Sequence, residues 1–388
     1  MLTRRASVYV HFPYCLAKCP YCDFVSYATP REAIDHVGYA DAVLRELAER
    51  SERRDLGALH VGSIFFGGGT PSLWDPRELG RVLEGIRGAL PCEPSVEVTV
   101  ECNPTSLDGA AAAALRDAGV NRLSIGTQSL RADQLRYLGR LHDPEGARTA
   151  IRAAVASGIP RISTDLIFGL PDQTPEDASL QAGALADLGL SHLSCYQLTI
   201  EPGTRFGELA KRGRLPRADD GVVADSFVAI DEALKGRGLG HYEISNYARP
   251  GEEARHNLGY WRGEEYVGLG CGAFGFLRRT EDGVTRGTRY RNTPDPKRYM
   301  EGGRAHETEE ELDGEALLRE RIMLGLRLAV GFDLGAAAQD LGVDGWTEAR
   351  SRAARRLEGQ GRIVREGNML RIPSGGWIWA DDTAARLF

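Results

Sequence analysis

Long apolar runs are missing from this chain: no stretch approaches the roughly 18 consecutive apolar residues of a membrane-spanning helix. The N-terminal MLTRRASVYVHF has two arginines but neither a long apolar stretch nor a small-residue cleavage site. No secretory leader is therefore expected, and the expected compartment is the cytoplasm. Basic excess is missing too. A formal net charge of −7 does not supply the positive footprint of a general nucleic-acid binder. Cysteine is scarce: there are seven in 388 residues, an odd number that rules out a disulfide framework as the organising principle. Cys92, Cys102, Cys195 and Cys271 stand singly and read as small buried residues. No internal repeat is visible beyond an alternation of strands and helices.

That alternation dominates the first half. Strand-like segments Ser7–Phe12, Leu59–Phe66, Ser95–Glu101, Arg122–Gly126, Arg161–Phe168 and Leu193–Thr199 alternate with helix-like ones. The helical set is Tyr39–Arg53, Pro76–Leu90, Leu107–Ala118, Pro144–Ala156 and Pro175–Leu188. A repeat of about 30 residues is the length of a βα unit, so a parallel sheet is predicted. Pattern alone leaves open a partial barrel or a doubly wound sheet. After Lys211 the rhythm breaks. A helix over Asp219–Lys235 leads into HYEISNYARPGEEARHNLGYW and then GLGCGAFGF, whose glycines mark a tight backbone approach. The acidic run Glu301–Glu311 reads as a linker. Beyond it, three helices and a hairpin turning at Gly367–Asn368 predict a winged-helix-like unit. Over residues 305–388 acidic side chains outnumber basic ones, so DNA binding is not expected of this unit.

Only one cysteine constellation exists. Cys15, Cys19 and Cys22 fall within eight residues, CLAKCPYC, directly after the first predicted strand. A structural zinc site closes with four ligands, and only His11 or a distant group could be the fourth. Iron–sulfur clusters also usually take four cysteines. Three thiolates on a four-iron cluster leave one iron open for a ligand. The second strand ends in FFGGGTPS, where glycines let backbone groups approach a ligand closely. Both features belong at the C-terminal ends of strands, where βα architectures place their chemistry.

YVHFPYCLAKCPYCDF followed by GGGTPS resembles the radical S-adenosylmethionine (SAM) superfamily, and within it the branch holding oxygen-independent coproporphyrinogen dehydrogenases and HemW-type heme chaperones. The resemblance implies an α/β fold: a TIM-like partial (β/α)6 barrel over residues 1–215, a smaller α/β extension over 216–300, and a winged-helix-like domain over 301–388. It implies that Cys15, Cys19 and Cys22 hold a 4Fe-4S cluster whose open iron is chelated by SAM. It further implies cofactor contacts from Tyr9, Tyr21, Gly68, Gly69 and Thr70, and from Glu101, Gln128, Arg140 and Asp165. A bidentate pairing of Arg140 with the methionine carboxylate suits guanidinium chemistry. The carboxylates suit an ammonium or ribose hydroxyls.

Two details select within the branch. The dehydrogenases carry another cysteine two residues after the third, where this chain has Phe24. Residues 256–261, HNLGYW, match the His-Asn-x-x-Tyr-Trp motif implicated in heme binding by HemW-type chaperones. The resemblance therefore implies heme association through His256, Asn257, Tyr260 and Trp261, and delivery to apo-hemoproteins such as cytochromes or heme-containing storage proteins. The alternative is a radical SAM enzyme acting on a porphyrin, in the manner of the dehydrogenases.

Overall fold

Six parallel strands carry the site: β1 (Arg4–Phe12), β2 (Leu59–Gly68), β3 (Cys92–Cys102), β4 (Arg122–Gln128), β5 (Arg161–Phe168) and β6 (His192–Gln197). The computed structural model describes residues 4–52, 56, 59–281, 284–302 and 306–388. The strands pair in chain order. That order decides between the two predicted sheets, because a doubly wound sheet reverses direction at a switch point and this one does not. The barrel is also left partial: β1 pairs on its free side with β9 (Glu265–Leu269), and β6 pairs with β8 (Asn246–Ala248) rather than with β1.

Helix starts follow the sequence chemistry. Asp35, Asp75, Asp108, Asp143 and Thr174 each accept a hydrogen bond from a first-turn backbone N–H, capping α1 (His36–Ser51), α2 (Pro76–Ala89), α3 (Gly109–Asp117), α4 (Pro144–Ala156) and α5 (Pro175–Ala186). Their apolar faces meet Val8, Val10, Ile64, Phe66, Val98 and Val100 of the strands in one continuous core. At about 25 cal/mol per Å² of apolar surface buried, this core is the main source of the barrel's stability.

After α6 (Asp220–Lys235) come β7 (Gly240–Glu243) and β8, then α7 (Arg255–Trp261), which carries HNLGYW. The sheet continues through β9 into an antiparallel run, β10 (Phe274–Glu281), β11 (Val284–Asn292) and β12 (His306–Leu312). This corrects the linker expected over Glu301–Glu311. Most of that acidic run is the edge strand β12, and residues 303–305 of it lie outside the described residues. The glutamates tolerate a strand because arginines of the next two strands face them: Arg289 of β11 reaches Glu310 at 3.4 Å and Arg279 of β10 reaches Glu311 at 3.3 Å.

The C-terminal unit has a core of its own, built from Leu318, Ile322, Leu334, Leu357 and Leu370. Its helices α8 (Gly314–Gly325), α9 (Leu334–Leu341) and α10 (Glu348–Gly359) pack with three short strands, β13 (Phe332–Asp333), β14 (Val364–Glu366) and β15 (Met369–Arg371). The hairpin turns where Gly367 adopts φ 65°. Among the described residues, no helix is long and apolar enough to cross a membrane.

Candidate cofactor site at the barrel mouth

The cysteine loop leaves the end of β1. Its base is pinched where Tyr14–Cys15 pairs in parallel with Tyr27–Ala28. Tyr27 N–H donates to the Pro13 carbonyl at 2.8 Å, and Thr29 N–H donates to the Cys15 carbonyl at 2.8 Å. The three thiols are free and half-buried. Burial pushes the Cys15 thiol up to about 11 and raises Cys22 as well, so metal loading must displace protons. Among the described residues, no three His, Cys, Asp or Glu side chains gather about a single ion. All three thiols line one cavity.

His11 is not the missing ligand. Its Nε2 lies 2.7 Å from the Val25 carbonyl, which can only accept, so Nε2 carries the proton. Nδ1 then accepts from the Tyr9 hydroxyl at 3.0 Å. Burial lowers the His11 pKa to about 4 and keeps the ring neutral.

The glycine run has a clear steric cause. Gly69 N–H donates to the Phe12 carbonyl at 2.7 Å, and Thr70 N–H donates to the Tyr14 carbonyl at 2.9 Å. A Cβ on Gly69 would stand 2.7 Å from the Tyr14 oxygen. Gly68, at φ 108°, lies against His11, and a Cβ there would come within 2.4 Å of the ring. The β2 loop and the cysteine loop are thus stitched together through backbone, and Thr70 Oγ1 donates to Cys15 Sγ at 3.3 Å.

Strand ends supply the polar wall of a cavity of about 600 Å³. It brings together Cys15, Cys19 and Cys22 with Tyr21, Gly68, Gly69 and Thr70, and with Glu101, Gln128, Arg140 and Asp165. Glu101 Oε2 accepts from Gly68 N–H at 3.0 Å. Burial, and then the neighbouring Asp165, push its carboxyl up to about 7. Burial also raises Asp165 to about 6, against hydrogen bonds from Ser194 and Ser124 and the charge of Arg140. Arg140 reaches Cys19 Sγ at 3.5 Å and the Gly126 carbonyl at 2.7 Å. Burial opposes its charge, but Tyr21 and Cys19 beside it outweigh that and raise its pKa. Gln128 holds a left-handed φ of 68°, unusual for a non-glycine residue and a mark of strain at a functional site.

The residues fit SAM and a cluster. Gln128 Oε1 and Arg140 Nε are buried and have no hydrogen-bond partner. Unpaired buried polar atoms are costly, and a polar ligand in this cavity would relieve them.

Tyr9 does not reach the cavity. It packs beneath the glycine run, where a Cβ on Gly67 would meet its ring at 2.9 Å. Of the HNLGYW residues, Asn257 lines the cavity and the others do not. His256 is interior: its ring stacks on Phe65 at 4.7 Å, with Nδ1 3.0 Å from Ser63 Oγ and Nε2 3.3 Å from the Tyr260 hydroxyl. Burial lowers its pKa to about 3. Tyr260 and Trp261 instead face a second, mainly apolar cavity of about 680 Å³, and Asn257, Ser245 and Tyr196 line both.

Sequence reasoning missed Ser124 and Ser194, which hold Asp165. They sit on neighbouring strands, and the signal was a small polar residue interrupting an apolar run. Phe24, in the position of the dehydrogenases' extra cysteine, is exposed at the cavity mouth.

Comparison with known proteins follows the same division. Residues 9–180 match the Radical SAM superfamily model, and 312–379 match the HemN C-terminal domain. The heme chaperone HemW of Escherichia coli (strain K12) is 39% identical over 299 residues, 76% of each chain. HemW of Mycobacterium tuberculosis (strain H37Rv) is 36% identical over 342 residues, 86% of this chain and 85% of that one. This chain belongs to the HemW family. Its fold matches E. coli coproporphyrinogen III oxidase (HemN), a radical SAM enzyme, with a TM-score of 0.82 over 100% of this chain and 91% of that one. At 20% identity, that likeness speaks for the fold alone.

Proposed function

We propose that this protein is a heme chaperone that carries a 4Fe-4S cluster and SAM, binds heme, and passes it to apo-hemoproteins in the cytoplasm. Cys15, Cys19 and Cys22 would hold the cluster, which when bound supplies an open iron for SAM and an electron. Gly68, Gly69 and Thr70 would present backbone and hydroxyl groups to SAM. Arg140 would take its carboxylate, and Glu101, Gln128 and Asp165 its ammonium and hydroxyl groups. Tyr9 and His256 act from behind: Tyr9 through His11 on the cysteine loop, and His256 through the hydroxyl of Tyr260.

One observation carries the reading. The heme-associated motif stands between the two cavities, with Asn257 on both and Tyr260 and Trp261 on the apolar one. Aromatic side chains there offer flat surfaces to a porphyrin. Cytochromes or heme-containing storage proteins are the client class this implies.

Hemin titration of the anaerobically reconstituted protein tests it. Stoichiometric binding with transfer to an apo-cytochrome is expected, and absence of hemin binding overturns it. The polar cavity with its buried Glu101 and Asp165 favours a second reading, radical chemistry on a porphyrin. Coproporphyrinogen turnover under reducing, anaerobic conditions would establish that instead.

A further inference from the structure

We propose that heme lies in the second cavity, enclosed between α7 and the C-terminal domain, with its carboxylates on Arg278 and Arg321. This rests on the chaperone reading and locates the cargo within it.

The cavity's size, about 680 Å³, is in the range of small-molecule and cofactor sites. Its walls come from both sides of the junction with the C-terminal domain. Tyr260 and Trp261 stand on one side; Leu317, Met323 and Leu324 of α8 stand on the other. The C-terminal domain therefore forms part of the wall of the site. Such a space suits a flat, mostly apolar molecule held between aromatic and aliphatic faces.

Arg278 and Arg321 are the groups of this cavity that would take the carboxylates. Arg278 and Arg321 both bind the same oxygen of Asp340, at 2.6 and 3.1 Å. Arg278 also faces Glu265 at 3.8 Å, which pairs with Arg4 at 3.0 Å. Arg289, the other arginine lining the cavity, pairs with Glu320 at 2.6 Å, and Glu243 and Glu264 line it as well. Burial, then the neighbouring Arg278, lower the pKa of Arg321. Guanidinium pairs bind carboxylates in charge-assisted, directional hydrogen bonds. The buried indole N–H of Trp261 has the Glu243 carboxyl beside it.

His256 is not offered to this cavity, since both ring nitrogens are engaged in the interior. Tyr196, Ser245 and Asn257 line both the proposed heme space and the SAM space.

Spectroscopic titration of the full chain with hemin and with hemin dimethyl ester tests the site. Leu324→Trp, which fills the cavity, is expected to weaken hemin binding by at least about tenfold while iron content and SAM affinity stay at the wild-type level. The double variant R278Q/R321Q is expected to weaken hemin by about tenfold and to leave the dimethyl ester unaffected, because only hemin has charged carboxylates. Unchanged hemin binding in both variants overturns the site but leaves the chaperone reading standing. No hemin binding by the wild type overturns both. Should Leu324→Trp not fold, the arginine variant decides through its hemin-to-ester comparison.

Discussion

The imidazole of His11 donates from Nε2 to the Val25 carbonyl at 2.7 Å, tying the first barrel strand to the far side of the cysteine loop. The same ring packs against Gly68 and accepts from Tyr9, so one neutral histidine braces both loops that frame the cluster site. His11→Leu leaves the Val25 carbonyl without this partner at a cost of about 1–3 kcal/mol. The expected result is a folded protein whose reconstituted iron and sulfide content falls clearly below wild type. Full occupancy would show that the pinch at Tyr14–Cys15 holds the loop unaided.

Gly69→Ala addresses the approach of the two loops. The new methyl would press on the Tyr14 carbonyl, and crowding of that kind costs about 1–3 kcal/mol. SAM affinity is expected to drop by roughly tenfold or more, read by equilibrium binding, with the overall fold unchanged by circular dichroism. Wild-type affinity would mean that the loop relaxes without cost.

Proton release should accompany SAM binding. Glu101 and Asp165 titrate near 7 and 6 in the free protein, raised first by burial. A cationic ammonium favours their ionised forms, so binding expels protons and tightens as pH rises through this range. Calorimetry at pH 6.5 in buffers of different ionisation enthalpy measures the release, and Glu101→Gln should reduce it. A heat independent of buffer would argue that neither carboxylate meets a cation.

Stability of the free protein should pass through a maximum. His11, His142, His241 and His256 have folded pKa values of about 4, 4, 4 and 3, below the ordinary 6.5, with burial the first cause of each. Their contribution is complete above 6.5 and is lost as pH falls through the folded values. Glu101, Asp165 and Glu243, at about 7, 6 and 7, are raised above ordinary carboxyls. Theirs is complete below the unfolded values and is lost as pH rises through the folded ones. Thermal melts should therefore peak between about pH 6 and 7, with SAM moving the peak upward. A Tm flat from pH 4 to 8 would contradict the assigned burial.

The histidine of HNLGYW offers a separate test. His256→Ala removes a buried ring from between Phe65 and Tyr260, so a lower Tm is expected with any loss of hemin affinity. Tyr260→Ala acts on the cavity wall and should cost more hemin affinity than stability. An iron-ligand signature in the hemin spectrum that vanishes only in His256→Ala would instead require the histidine to turn out of the interior.

Residue order alone determined much of this protein. Strand and helix periods, Asp caps, and CLAKCPYC with its glycine-rich partner are local patterns, and local patterns survive without knowledge of the rest of the chain. The acidic stretch before the last domain was misread because its stabilising arginines lie on other strands, β10 and β11, beyond the reach of local pattern. HNLGYW shows the same limit more sharply. Its helical spacing places His256 and Tyr260 on one face, and both do meet there. Which of them looks into a cavity depends on Phe65 and Ser63 of β2 and on α8 across the gap, all distant in sequence. Tertiary packing alone decided that the histidine is interior, that Asn257 touches both cavities, and that the C-terminal domain closes the second one. Burial and partnership are properties of surfaces brought together by folding, and no segment carries them by itself.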